Sequence, residues 1–251
     1  MEAIMATRFG GPEVLAPVTL PTPEPPEGHV RVDVASPAWA GWTHSSGAAT
    51  PRRGLPEALA VLDDGSTALA LLEKTPVAAG DDVLVLPGLG GLGSLLVQLP
   101  RDAVMIAAVR GPEKVKLAHD LGVRAVDYGS PDWTSKVPGV DVVFDGVGGP
   151  LGATALSLLR DGGRFSGYGM SSGAPTTVPL ADHRRLASVA DMSQLPEFWP
   201  ETPRRVRQAL TEAAAGRLIP LIGRTYPLAE AAAAHTDFEK RRAVGKILLH
   251  P

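Results

Sequence analysis

Apolar and polar positions fall into two regimes along this chain. Up to residue 35, short apolar runs alternate with prolines: 3–8 is one run, and 21–26 holds four prolines and must be a loop or extended link. From His29 to Val34 the valines Val30, Val32 and Val34 share one face, with Arg31 and Asp33 on the other. That period of two predicts a half-buried strand. Residues 36–54 are irregular. Residues 56–62 and 66–74 read as two short helices around Asp63-Asp64-Gly65, a turn signal. Beyond residue 80, unbroken apolar runs at 83–86 and 104–109, a short strand at 125–126 and further strands at 140–144 and 164–168 alternate with helical stretches at 94–99, 112–121 and 151–159. Unbroken apolar strands suit a parallel sheet covered on both faces, and their alternation with helices predicts βαβ units. Further helices at 202–215, closed by Gly216, and at 228–234 precede a last strand at 243–249. The fold class expected is α/β, with a doubly wound parallel sheet.

Composition narrows the function classes. Lys and Arg number 24 against 27 Asp and Glu, a formal charge of −3, which argues against a general nucleic-acid binder and a polybasic membrane anchor. The 28 Gly and 24 Pro would suggest disorder, but 44% of residues are hydrophobic, enough for a core. Cysteine is absent, so disulfides, thiolate metal sites and a cysteine nucleophile are excluded. No apolar run reaches the roughly 18 residues of a membrane span, and the N-terminus lacks a signal-peptide pattern. A cytoplasmic protein is the expectation. The six histidines (His29, His44, His119, His183, His235, His250) form no metal-binding spacing, so no metal is expected. Ser171-Ser172-Gly173 lacks the G-x-S-x-G elbow of serine hydrolases.

The chemistry concentrates in Gly88-Leu89-Gly90-Gly91-Leu92-Gly93, set between a buried strand and a helix. There, glycines permit a tight turn and close approach of a pyrophosphate, and the helix start offers amide donors. The plainer alternative is a glycine-rich turn of any doubly wound domain. An NAD site usually ends its second strand in Asp or Glu, to hold the ribose 2′-hydroxyl. Here the strand ends in Arg110-Gly111-Pro112-Glu113-Lys114, which favours a 2′-phosphate and hence NADP(H); the alternative is a solvated Arg and Lys at a helix start.

Three segments carry a family resemblance: MATRFGGPEVL (5–15); GDDVLVLPGLGGLGSLLVQL (80–99) with VRGPEKVKLAHDLGVRAVDY and VDVVFDGVGG; and VGKILL (244–249). They resemble the medium-chain dehydrogenase/reductases, in particular the zinc-independent quinone oxidoreductase (zeta-crystallin-like) branch. The resemblance implies a Rossmann-type sheet at 55–219 and a truncated N-terminal GroES-like β subdomain at 1–54 with 220–251. It implies NADPH in the cleft and hydride transfer to a small quinone, enone or carbonyl. By position, Gly88, Gly90, Gly91 and Gly93 resemble the pyrophosphate loop; Arg110, Lys114 and Tyr128 would lie near the 2′-phosphate and adenosine; Asp145 to Gly149 resemble the loop after the fourth strand, beside the cofactor, with Asp145 and Val147 as cofactor-binding residues; Tyr168, Gly169 and Met170 would flank the nicotinamide. It also implies a homodimer, paired through the sheet edge at 176–192.

Departures from the family pattern open a second expectation. Several dozen residues of the barrel are missing between Gly47 and about Leu55. The customary Asn is absent from Pro37-Ala38-Trp39-Ala40-Gly41-Trp42, and Pro100 cuts the first Rossmann helix short. A hydride site must exclude water, and loss of a wall opens it. The scaffold could therefore serve as a non-redox cyclase, isomerase or dehydratase, or as a non-catalytic nucleotide binder. For proton transfer the candidates are Tyr168, and His44 beside Trp42; the plainer readings are a packed strand-end tyrosine and a surface-loop histidine. Phe198-Trp199-Pro200 reads as a lid, an oligomer contact or a packed cluster.

Overall fold

A computed structural model describes residues 2–6, 8, 10–21, 55–191 and 198–250. The expected strand at His29–Val34 and the candidates Trp42 and His44 lie outside them. The chain opens with an antiparallel hairpin, β1 (Glu2–Ala6) and β2 (Leu15–Thr19). Helix α1 (Leu55–Lys74) leads into the main domain. It is one helix, not two short ones broken at Asp63-Asp64-Gly65. Gly65 continues the helix because it sits at a close crossing: a Cβ there would lie 2.8 Å from the Ala209 Cβ. Tertiary packing overrides the local turn signal.

The main sheet contains β3 (Asp82–Leu86), β4 (Val104–Val109), β5 (Arg124–Asp127), β6 (Val140–Asp145), β7 (Leu159–Gly167) and β8 (Ser188–Asp191). Its strand order is β5-β4-β3-β6-β7-β8, and every neighbouring pair is parallel. Helices α2 (Gly91–Leu96), α3 (Pro112–Asp120), α4 (Gly149–Ser157) and α5 (Leu180–Arg185) lie in the connections. The unbroken apolar strands are unbroken for a visible reason. Along β3, Val83 and Val85 point into a core with Leu71 of α1 and Leu95 of α2, whereas Leu84 and Leu86 point into a second core with Trp133 and Leu156. All four are fully buried. Each such side chain contributes about 1.5–3 kcal/mol by leaving water.

Helix α6 (Phe198–Ala214) packs along α1 and starts earlier than its Pro-rich opening suggested. Glu73 of α1 clasps it by accepting from Arg204 and Arg205. After it come β9 (Ile222–Pro227), α7 (Ala231–Glu239) and β10 (Lys246–His250). The closing strand does not join the main sheet: β10 pairs in parallel with β9, a strand that periodicity did not reveal. Ile247 and Leu249 of β10 form a small third core with Ala231 and Ala234 of α7, and Ile4 of β1 packs against it.

Candidate functional site

The strand order reverses between β3 and β6. Connections run one way from β3 through β4 to β5, and the other way from β6 through β7 to β8. In an open parallel sheet this arrangement leaves a crevice outside the carboxyl ends of the two central strands, where ligands bind. The glycine loop sits at that point. Gly88 donates its N–H to the Ala108 carbonyl at 2.8 Å, and a side chain there would run into Ala107. A side chain at Gly93 would run into the Pro87 carbonyl, so glycine lets α2 seat on the strand. Gly90 differs: a Cβ there would meet nothing nearer than Pro87 Cγ at 3.4 Å. The protein itself does not need glycine at 90, and a bare backbone there leaves room for an approaching group. Gly91 is close to a charged pair, since a Cβ would strike Asp64 Oδ2 and come within 3.3 Å of Lys246 Cδ.

Positive charge gathers where β4 ends. Arg110 follows the strand and is exposed. Asp127 Oδ1 accepts from the amides of Gly111 and Gly129, both at 2.8 Å, and so ties the loops after β4 and β5 together. Tyr128 donates its amide to Val109, and its half-buried ring packs on the second core. Lys114 is engaged within the chain. Its ammonium donates to the carbonyls of Arg241 at 3.1 Å and Ala243 at 3.2 Å, so it anchors the C-terminal turn. Burial, then the nearby Arg241 and Arg110, push its pKa below the ordinary lysine value. Arg241 is the cation that sequence reading missed. It stands exposed at a left-handed φ of +54° and donates to the Ser171 carbonyl. The run Lys240-Arg241-Arg242 was the available signal, but 127 residues separate it from Lys114.

The end of β6 and the loop after it hold Asp145 and Val147. Asp145 is fully buried. Its Oδ1 accepts from the amides of Val147 and Gly148, both at 2.9 Å, and its Oδ2 accepts from the Thr176 hydroxyl at 2.5 Å. Both oxygens are therefore engaged inside the loop, and the residue shapes it. Val147 is a core residue, its amide bound to Asp145 and its carbonyl to the Ser172 amide. Gly169 packs backbone to backbone on Gly146, with 2.8 Å from a Cβ position to the Gly146 carbonyl.

Tyr168 lies across the ends of β3 and β6. Its ring covers Gly146 and its hydroxyl donates to the Leu86 carbonyl at 3.3 Å. Burial, then the charges of Asp145 and Asp64, push its pKa far above the ordinary tyrosine value.

Asp64 and Lys246 complete the site. Their ion pair measures 2.7 Å, between side chains only 15% and 16% exposed. Burial raises the Asp64 pKa above the usual carboxylate value; Lys246 acts against that rise and Asp63 adds to it. Among the described residues, no group of three or more His, Cys, Asp or Glu is placed to hold a metal ion. No described helix is long and apolar enough to cross a membrane.

The sequence profile of the zinc-binding dehydrogenases matches residues 121–249, just over half of the chain. The chain belongs to that family. Within the medium-chain dehydrogenase/reductases its relatives include quinone oxidoreductases. It is 32% identical over 203 residues to the 2-haloacrylate reductase of a Burkholderia species, covering 74% of this chain and 61% of that protein. It is 28% identical over 209 residues to a quinone oxidoreductase of Pseudomonas aeruginosa, covering 78% and 64%. The chain thus spans less than two thirds of the length of these relatives. Among solved structures, a mycobacterial protein in complex with NADPH superposes with a TM-score of 0.85 at 25% identity, over the whole of both chains. The family's sheet is the one seen here, with the glycine loop at its switch point.

Proposed function

We propose that this chain binds NADP(H) along the carboxyl edge of its main sheet and acts as an NADPH-dependent reductase of small activated alkenes, carbonyls or quinones. One juxtaposition carries the reading: a bare glycine cradle at the switch point and, at the adjoining strand end, Arg110 and Arg241 flanking the turn that Lys114 anchors. The cradle fits a pyrophosphate, since Gly90 has open space beside it. The two exposed guanidinium groups suit a 2′-phosphate, which they would bind with charge-assisted hydrogen bonds. NADPH, when bound, supplies a hydride. The chain's own part is to bind and orient. Gly88, Gly90 and Gly93 admit the phosphates, Asp145 holds the loop after β6 in shape, and Tyr168 with Gly169 forms the wall beside the nicotinamide. Tyr168, His44 or water gives the proton. The hairpin β1–β2 and the pair β9–β10 serve as the remnant of the family's second domain, and the outer edge of β8 is the contact of a homodimer.

The test is parallel calorimetry with NADPH and NADH on the native chain and on Arg110→Ala and Arg241→Ala. Each substitution should weaken NADPH binding by about tenfold or more while leaving NADH nearly unchanged. NADPH oxidation against a panel of quinones and enones then reads the activity. Failure to bind either nucleotide would sink the proposal.

A further inference from the structure

We propose that Lys246 is an internal counter-ion of the glycine loop: Asp64 holds it in the free protein, and a bound dinucleotide's pyrophosphate takes it over while Asp64 picks up one proton from the buffer. This rests on the NADP(H) reading above and goes beyond it by assigning a role to a charged pair that the reduction itself does not use.

Placement carries the inference. Glycine loop and Lys246 are joined through the backbone: Gly245 donates to the Leu89 carbonyl at 2.8 Å, Gly90 and Gly245 form an isolated parallel bridge, and Lys246 donates its amide to Leu221 at 2.7 Å. Gly245 has φ +67° and no room for a side chain against the Leu221 carbonyl, so the residue before Lys246 is set tightly. The lysine stem then runs past Gly91 to Asp64, 2.7 Å away. Asp64 itself reaches the Cβ position of Gly91. A mostly buried carboxylate thus borders the place where a pyrophosphate would sit, and two anions side by side are tolerated only with a cation between them or with one of them protonated. Both remedies are within reach. Lys246 is a flexible stem with three donors, able to turn from one oxygen to another. Asp64, once deprived of its partner, is a carboxylate in a desolvated site and takes up a proton.

Among the described residues, the charged or titratable neighbours of Asp64 are Lys246 from β10, Asp63 on its own helix, and Tyr168 beyond β7. Helix α2 brings no charged residue. Where α6 and β9 pack on α1, their nearby charges are paired elsewhere: Arg205 with Glu73, Glu212 with Arg217, and Arg224 with Asp237.

The experiment is calorimetry of NADPH binding at about pH 7, where a desolvated carboxylate without its cation is still protonated, in two buffers of different ionisation enthalpy. The native chain should take up close to one proton per NADPH bound. Asp64→Asn should bind NADPH with that uptake abolished. Lys246→Met should also lose the uptake, because its Asp64 is protonated beforehand, and should bind about tenfold more weakly. NADPH binding without proton uptake, uptake undiminished in Asp64→Asn, or undiminished affinity in Lys246→Met would each overturn the proposal and leave the reductase reading standing. Absence of NADPH binding by the native chain overturns both. Should circular dichroism find Asp64→Asn unfolded, Lys246→Met carries the same test.

Discussion

Two glycines of one loop should respond to the same substitution in opposite ways. At Gly93 an alanine Cβ would strike the Pro87 carbonyl, a backbone atom that cannot swing aside, and would stand 3.3 Å from the Gly88 carbonyl carbon. Overpacking of this kind costs about 1–3 kcal/mol, and rigid backbone puts it near the upper end. For a chain of this size each kcal/mol moves Tm by roughly 2–4 °C, so Gly93→Ala should melt roughly 6–12 °C lower. At Gly90 the same methyl meets nothing nearer than 3.4 Å, and the residue has φ −74° and ψ 177°, which any amino acid adopts. Replacing glycine at a compatible position stabilises by about 0.4–1 kcal/mol through the unfolded chain. Gly90→Ala should therefore keep its Tm or gain a few degrees, yet bind NADPH at least about tenfold more weakly, because the methyl fills the space left for the pyrophosphate. Differential scanning calorimetry and nucleotide titration on both variants decide the matter. If Gly90→Ala melts as low as Gly93→Ala, the open space beside residue 90 is not there. If it binds NADPH like the native chain, the loop is not the phosphate cradle.

Three other substitutions probe what holds the site in place. Glu73 accepts from Arg204 and Arg205; burial would raise its pKa, but those bonds outweigh burial and hold it below the ordinary 4.5. A depressed carboxylate stabilises fully above its ordinary pKa and ceases to as pH falls through the folded value, so Tm should drop on the acid side below about pH 4.5, and Glu73→Gln should flatten that drop. An unchanged acid profile in the variant would show that the clasp contributes nothing. Asp145→Ala leaves two amides and the Thr176 hydroxyl without their acceptor in a buried loop and should cost about 3 kcal/mol or more, with Asp145→Asn losing less than half of that; urea unfolding reads both, and a loss under about 1 kcal/mol for alanine would contradict the assignment. Gly65→Ala gains about 1 kcal/mol of helix propensity but puts its Cβ 2.8 Å from Ala209, so it should be net destabilising by about 1 kcal/mol; a raised Tm would mean that α1 and α6 do not cross closely there.

The parallel sheet was legible in the residues because burial on both faces leaves an unmistakable mark: Val83 to Leu86 has no polar position to alternate with, and its four side chains feed two cores. The glycine loop was legible for a related reason. Backbone approaches at Gly88 and Gly93 exclude any side chain, and only one residue type meets that demand. Local signals failed where a distant element supplied the deciding contact. Asp63-Asp64-Gly65 has the composition of a turn, but Ala209 packs against Gly65 and Lys246 neutralises Asp64, 182 residues further along, so the helix runs through. Strand β9 has little apolar period, because its hydrogen bonds come from β10 and most of its side chains stay outside the core.

The division within the site follows the same physics. Residue types alone pointed to Arg110 at the end of the second strand, because a strand-end position is fixed by local sequence. They could not show that Lys114 is drawn back onto the Arg241 and Ala243 carbonyls, nor find Arg241 beside it. They likewise could not tell that Asp145 turns both oxygens inward, or that the Tyr168 hydroxyl is bonded to Leu86. Backbone requirements repeat over a few neighbouring residues and so are written in the sequence. The partner of a charged or hydroxyl side chain is chosen by which distant segment folds against it, and only the tertiary structure makes that choice.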